Sequence, residues 1–229
     1  MLDLHGYGFS LLEGTLLTLE VALVSLLIAV LLGMLGALAK LSSSRLARSV
    51  ASVYTTIIRG VPDLVMMLLV YFGGQMLVNK LTMQVGYEGY IDIAPFLAGV
   101  ITIGFIYGAY MTETFRGAIL AVPLGQLEAG YAFGMNRSQV FWRILLPQMM
   151  RHALPGFGNN WLVLLKTTAL VSIIGLDDMV RKASLAAGAT HLPFTFHMVV
   201  ALGYLAFTTV SVLLLRWAEQ HYSAGVQRG

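Results

Sequence analysis

The feature that constrains this chain most is the recurrence of apolar runs about as long as a bilayer is thick. A helix needs about 20 mostly apolar residues to cross hydrocarbon. Five segments reach that length: residues 16–38, 50–78, 93–112, 153–176 and 192–215. Few charges interrupt them, namely Glu20, Arg59, Asp63 and Lys166. The whole chain is 58% hydrophobic and 11% charged, whereas an average soluble domain carries about 25% charged residues. Such a chain lacks the polar groups to cover a globule, so lipid is its main solvent. In lipid an open strand edge leaves backbone groups unsatisfied, so the spans are expected to be helices. The expectation is an all-α membrane protein with five transmembrane helices, forming one domain over residues 1–229.

Basic residues give the orientation. Lys40, Arg45 and Arg48 follow the first run; Arg116, Arg137, Arg143 and Arg151 follow the third; Arg216 and Arg228 follow the last. The opposite side receives only Lys80, Arg181 and Lys182. The positive-inside rule then places the N-terminus outside and the C-terminus inside. The opening MLDLHGYGFS has no basic stretch before an apolar core, so no cleaved signal peptide is expected there. Asp177 is expected to cap a short helix on the outer side, after the fourth run.

Several chemistries are excluded. Cysteine is absent, which removes disulfides, zinc ribbons and thiol catalysis. The five histidines are scattered without metal-ligand spacing. Lys166-Thr167 is not preceded by the glycines of a phosphate-binding loop, and no serine sits in a nucleophile elbow. Basic residues track one membrane face, which argues against nucleic acid as a partner. No catalytic residue, metal or cofactor is expected on this chain.

The third and fourth runs are separated by a polar block, Glu128 to Pro147, reading EAGYAFGMNRSQVFWRILLP. Proline bounds helices better than it fills them, so Pro123 and Pro147 are taken as limits. Glu128 to Phe133 reads as a short helix that Gly134 ends in a left-handed turn. A second helix, 139–146, is expected after a cap at Asn136 or Ser138. Leu127, Tyr131, Phe133, Met135, Val140 and Phe141 either pack on the ends of the spans or form a knob for a soluble partner.

This block resembles the EAA loop of ABC importer permeases: E-A-A, three residues, G, nine residues, I-x-L-P. Glu128, Ala129, Gly130, Gly134, Ile144, Leu146 and Pro147 stand in register, with Gly130 replacing the second alanine. Ile58-Arg59-Gly60-Val61-Pro62, the segment from Tyr107 to Gly117, Gly158-Asn159-Asn160-Trp161 and Lys166-Thr167-Thr168-Ala169-Leu170 resemble signatures of polar amino acid permeases. Asp63 extends the likeness to permeases of histidine/lysine/arginine/ornithine importers. The resemblance covers nearly the whole chain. It implies the type I importer (MetI-like) permease fold, with a cytoplasmic coupling loop at about 123–147. It also implies a bacterial inner membrane location and a pathway shared with a second permease, related or identical. Two ATPase subunits that hold ATP and Mg would dock on the loop, and a periplasmic or extracellular binding protein would deliver the amino acid.

Charges within the spans are candidates for the pathway, because such charges are costly in lipid. Arg59 and Asp63, four apart, share a face if the helix continues; Gly60 and Pro62 argue for a break. They form either a local ion pair or a station where Asp63 receives a cationic amino acid. Glu113 and Arg116 are an interfacial pair or line the path. Lys166 could meet a substrate carboxylate, Glu113 or Asp63. Two other classes remain open from the residues: an ion-coupled secondary amino acid transporter using Asp63, Glu113 and Lys166, and a membrane docking or assembly subunit that moves nothing.

Overall fold

The computed structural model describes residues 4–87 and 89–223. Every regular element among them is a helix. The first, α1, spans Gly8–Leu41. Its small residues Gly14, Thr18, Ala22, Ser25, Ala29, Gly33 and Ala37 recur every three or four positions and are buried. Leu12, Leu16, Leu23, Leu27, Leu31, Leu35 and Leu38 are exposed. Small residues let helix backbones approach closely where lipid offers no hydrophobic drive. That face packs against α4, Pro95–Leu120. The approach is reciprocal, since a Cβ on Gly104 of α4 would lie 2.6 Å from Ile28.

The apolar run at 50–78 is not one helix. It divides into α2, Arg45–Gly60, and α3, Asp63–Gln84. Pro62 has no N–H, and in a continuing helix its ring would meet the carbonyl of Ile58. The chain is therefore extended at Val61 and Pro62, and α3 restarts at Asp63. A π turn, Leu69–Gly73, widens α3.

Beyond α4 come α5, Leu124–Ala132, and α6, Arg137–Val140. A second π turn, Phe141–Leu145, carries α6 into α7, Leu146–Thr167. Pro147 thus begins α7 and does not stop the preceding helix. It sits where a proline's missing donor matters least, just after a turn whose bonding register is already shifted. A 3-10 turn, Thr168–Ser172, leads through residues 173–178 to α8, Met179–Thr190, and α9, Pro193–Ser223.

Among the described residues, four helices are long and apolar enough to span a membrane by themselves: α1, α3, α4 and α9. The fifth expected span is α7 with its 3-10 extension. Its inner side is apolar and buried at Met149, Ala153, Leu154, Leu164 and Leu165. Its other edge carries His152, Asn159 and Lys166, all exposed. That polar edge keeps it from reading as a simple lipid-facing span.

Candidate functional site

Two faces of the bundle and a row between them hold the polar chemistry. On the face where α1 and α4 end, the block 123–147 folds as two short helices at a turn. Pro123 precedes α5, which starts earlier than the sequence implied. Gly134 takes φ +77°, a left-handed conformation that only glycine adopts without cost. The Gly134 N–H donates to the Tyr131 carbonyl at 2.9 Å and the Met135 N–H to that of Gly130 at 3.1 Å. Asn136 then caps α6: its side chain accepts from the Gln139 N–H, and the Gln139 side chain accepts from the Asn136 N–H, both at 2.9 Å. The cap is Asn136, and Ser138 lies one position inside the helix.

Gly130 is buried under Val140 and Ile144, where a Cβ would lie 2.5 Å from the end of Ile144. Leu127 packs on the core, Ile144 and Leu146 are half-buried, and Glu128, Ala129 and Pro147 are exposed. The apolar side chains of the block divide between burial and exposure. Leu127 and Val140 turn inward, whereas Tyr131, Phe133 and Trp142 protrude, Phe133 with 87% of its surface exposed.

Midway through the bundle, α4 presents Tyr107, Tyr110 and Glu113 at helical spacing. Asp63, at the start of α3, accepts the Tyr107 hydroxyl at 3.2 Å. That hydroxyl also lies 2.6 Å from the Thr167 hydroxyl, at the end of α7. The rings of Tyr107 and Tyr110 are 5.7 Å apart. The Arg59 guanidinium lies 5.2 Å from the Tyr110 ring centre, a cation–π distance. Arg59 and Asp63 are therefore not an ion pair. The break at Pro62 separates them, and each meets its own tyrosine.

One step along α4, Glu113 is bonded twice. Lys40 of α1 donates to one carboxylate oxygen and Arg116 Nε donates to the other, the latter at 2.9 Å. Lys40 also donates to Thr55 of α2 at 2.6 Å. A cavity of about 320 Å³ is lined by Lys40, Thr55, Thr56, Arg59, Gly60, Tyr110 and Glu113. Lys166 reaches neither Glu113 nor Asp63, and no side-chain partner is recorded for it among the described residues. It shares the exposed edge of α7 with Asn159 and His152.

The sequence reading passed over Lys40, Tyr107 and Thr167 as site residues. Lys40 lay beyond the apolar run and read as a loop charge. Tyr107 lay inside a signature but is uncharged. No periodicity within one helix announces a contact among three helices.

On the opposite face, Asp178 and not Asp177 caps α8, accepting the Arg181 N–H at 2.9 Å. Asp177 instead pairs with Arg181 Nε at 3.1 Å. Glu13 of α1 pairs with Lys182 at 2.6 Å. No group of three potential metal ligands occurs among the described residues.

Comparison with known proteins gives these features a family. Residues 29–224 match the family described as binding-protein-dependent transport system inner membrane component. The histidine/lysine/arginine/ornithine transport system permease protein HisQ of Escherichia coli (strain K12) is 55% identical, covering 97% of this chain and 98% of that one. The octopine transport system permease protein OccQ of Rhizobium radiobacter is 43% identical, covering 98% and 94%. A crystal structure of an amino acid ABC transporter with histidines contains a chain 34% identical, with a TM-score of 0.78 over 94% of this chain and 95% of that one. An inward-facing MetNI methionine ABC transporter shares the fold at a TM-score of 0.63, covering 96% and 97%. The chain belongs to the binding-protein-dependent transport system inner membrane components, as a permease of the amino acid ABC importer kind.

Proposed function

We propose that this permease moves basic amino acids across the bacterial inner membrane, and that Asp63 receives the cationic side chain. The observation that carries this reading is the setting of Asp63. It lies at a helix break, level with the middle of α4, hydrogen-bonded by Tyr107. No ion pair to it is recorded among the described residues. An intramembrane carboxylate without a cation of its own suits a cation that passes. The names of relatives such as HisQ support the same substrate class.

The start of α1 faces outward in this reading, and α5 and α6 lie in the cytoplasm. A second permease completes the pathway. An ATPase dimer docks on Glu128–Pro147 with Phe133, Tyr131 and Trp142 as anchors, and it supplies the ATP and Mg chemistry that this chain lacks. A binding protein delivers substrate from outside. ATP-driven closure of the ATPases would push the loops and open the pathway outward, giving alternating access.

The test is purification from native membranes in mild detergent, with and without Gly134→Pro, identifying each partner by mass. The expected result is an ATPase and a second permease with the wild type, and loss of the ATPase alone with the variant. Recovery of the chain by itself, or of partners indifferent to Gly134, would overturn the docking assignment.

A further inference from the structure

Asp178 lies outside the membrane-spanning helices, in the link between the 3-10 turn and α8. Its side chain is fully buried. Oδ1 caps α8, while Oδ2 is buried without a hydrogen-bond partner. Several parts of the fold converge here. A Cβ on Gly14 of α1 would lie 2.9 Å from the Asp178 carbonyl oxygen. Thr18 of α1 accepts the Met179 N–H at 3.1 Å. From α9 comes Tyr204, whose hydroxyl lies 3.2 Å from that of Thr168.

The titratable groups around Asp178 are Asp177, Arg181 and Lys182 on its own segment, Glu13 on α1 and Tyr204 on α9. Arg181 pairs with Asp177 and Lys182 with Glu13; the Arg181 charge also favours the Asp178 carboxylate, but less than burial disfavours it. A buried carboxylate oxygen with nothing to accept is costly, and a neutral acid is much less so.

We propose that Asp178 is a proton-binding site that latches residues 168–190 onto α1 and α9: the neutral acid holds the junction closed, and loss of the proton loosens it. The latch is distinct from the polar row but joined to it. Thr168, held by Tyr204, is the chain neighbour of Thr167, which meets Tyr107 and through it Asp63. Loosening the junction therefore frees one wall of that row.

Burial pushes the Asp178 carboxyl up from 3.8 to about 6, against the opposing pull of the Arg181 and Val180 N–H groups. The opened segment would return it to the ordinary carboxylate range. Between those two values the closed state binds more protons than the open one. Closure is therefore firmest in acid, weakens as pH rises from about 4 through about 6, and levels off above that.

The chain has no cysteine, so single cysteines report on this directly. Ala183→Cys lies on the buried side of α8 and Ser184→Cys on its exposed side. In the assembled complex in nanodiscs, maleimide labelling of each would be followed from about pH 5 to pH 7.5. The ratio of buried to exposed rates cancels the thiol's own ionisation. It is expected to rise about tenfold from pH 5, most of it by about pH 6.5, and to be level before pH 7.5. Asp178→Asn and Asp178→Ser keep a capping side chain without the charge, and both should hold the ratio low throughout. A flat ratio in the wild-type background, or a rise that survives in both variants, would overturn the latch. The readout is independent of transport and of which face is outside, so it can fail while the proposed function stands.

Discussion

Tyr107 donates its hydroxyl to Asp63 across the gap between α4 and the start of α3, and the same oxygen meets Thr167 of α7. A tyrosine has one hydroxyl proton. The Thr167 hydroxyl also has one proton and lies within reach of both Tyr107, at 2.6 Å, and the Val163 carbonyl, at 3.1 Å, so Asp63 and Val163 compete for the protons of this pair. Asp63→Asn keeps the shape and removes the charge. Uptake of arginine is expected to fall about tenfold or more, as for loss of a charge-assisted bond, while uptake of a neutral amino acid changes little. Paired uptake assays in proteoliposomes check this, and an equal loss for both substrates would remove the charge role. Tyr107→Phe, which leaves the carboxylate in place, should have the smaller effect.

Lys40 and Glu113 tie the end of α1 to α4, with Thr55 drawing in α2. Both side chains are mostly covered, 13% and 23% exposed. Removing only the carboxylate by Glu113→Gln leaves Lys40, Arg116 and Arg59 close together without an anion. A loss of about 1–3 kcal/mol is expected, less than for a fully buried pair. Lys40→Met alone should cost less, because Arg116 still serves Glu113. The double variant should be more stable than the sum of the two losses predicts. Thermal unfolding of the detergent-solubilised complex measures all three.

Much of the fold was legible because lipid enforces it. The runs at 16–38, 93–112 and 192–215 became α1, α4 and α9, the first lengthened at both ends and the other two only at their C-terminal ends. Asp63 and Arg59 were recognisable as costly charges, and the prolines, Gly134 and the cap at Asn136 announced two short helices, although the first begins at Leu124 and the second runs from Arg137 to Val140. The partners of those charges were not legible. Whether Arg59 reaches Asp63 or Tyr110 depends on the turn at Pro62, and whether Glu113 reaches Lys166 or Lys40 depends on how α1 crosses α4. The cap falls on Asp178 and not on the expected Asp177, because adjacent aspartates differ only in backbone direction at the start of α8.

Phe133 separates docking from folding. It is almost wholly exposed, so Phe133→Ala should shift stability by no more than about 0.5 kcal/mol. If the side chain anchors the ATPase, the same change should weaken ATPase binding by about 2 kcal/mol or more, roughly thirtyfold. Gly134→Ala strains a left-handed residue and should cost about 1 kcal/mol of loop stability as well. Binding of purified ATPase to nanodisc-embedded permease distinguishes the two. Unchanged affinity for Phe133→Ala would exclude it as an anchor.

Lys166 makes the sharpest demand on its surroundings. A lysine within a span, without a side-chain partner among the described residues, is tolerable only beside water or a counter-charge. It shares the exposed edge of α7 with Asn159 and His152, whereas α1 turns Leu27 and its neighbours outward. If the α7 edge lines the pathway, Lys166→Cys and Asn159→Cys should react with a small water-soluble thiol reagent in the assembled complex. Leu27→Cys should stay nearly inert, because thiolate does not form in hydrocarbon. Added substrate should slow the reaction at 166 and leave that at Ser184→Cys unaltered. Equal inertness at 166 and 27 would mean that this edge is sealed against protein, and that the polar row on α4 reaches water by another route.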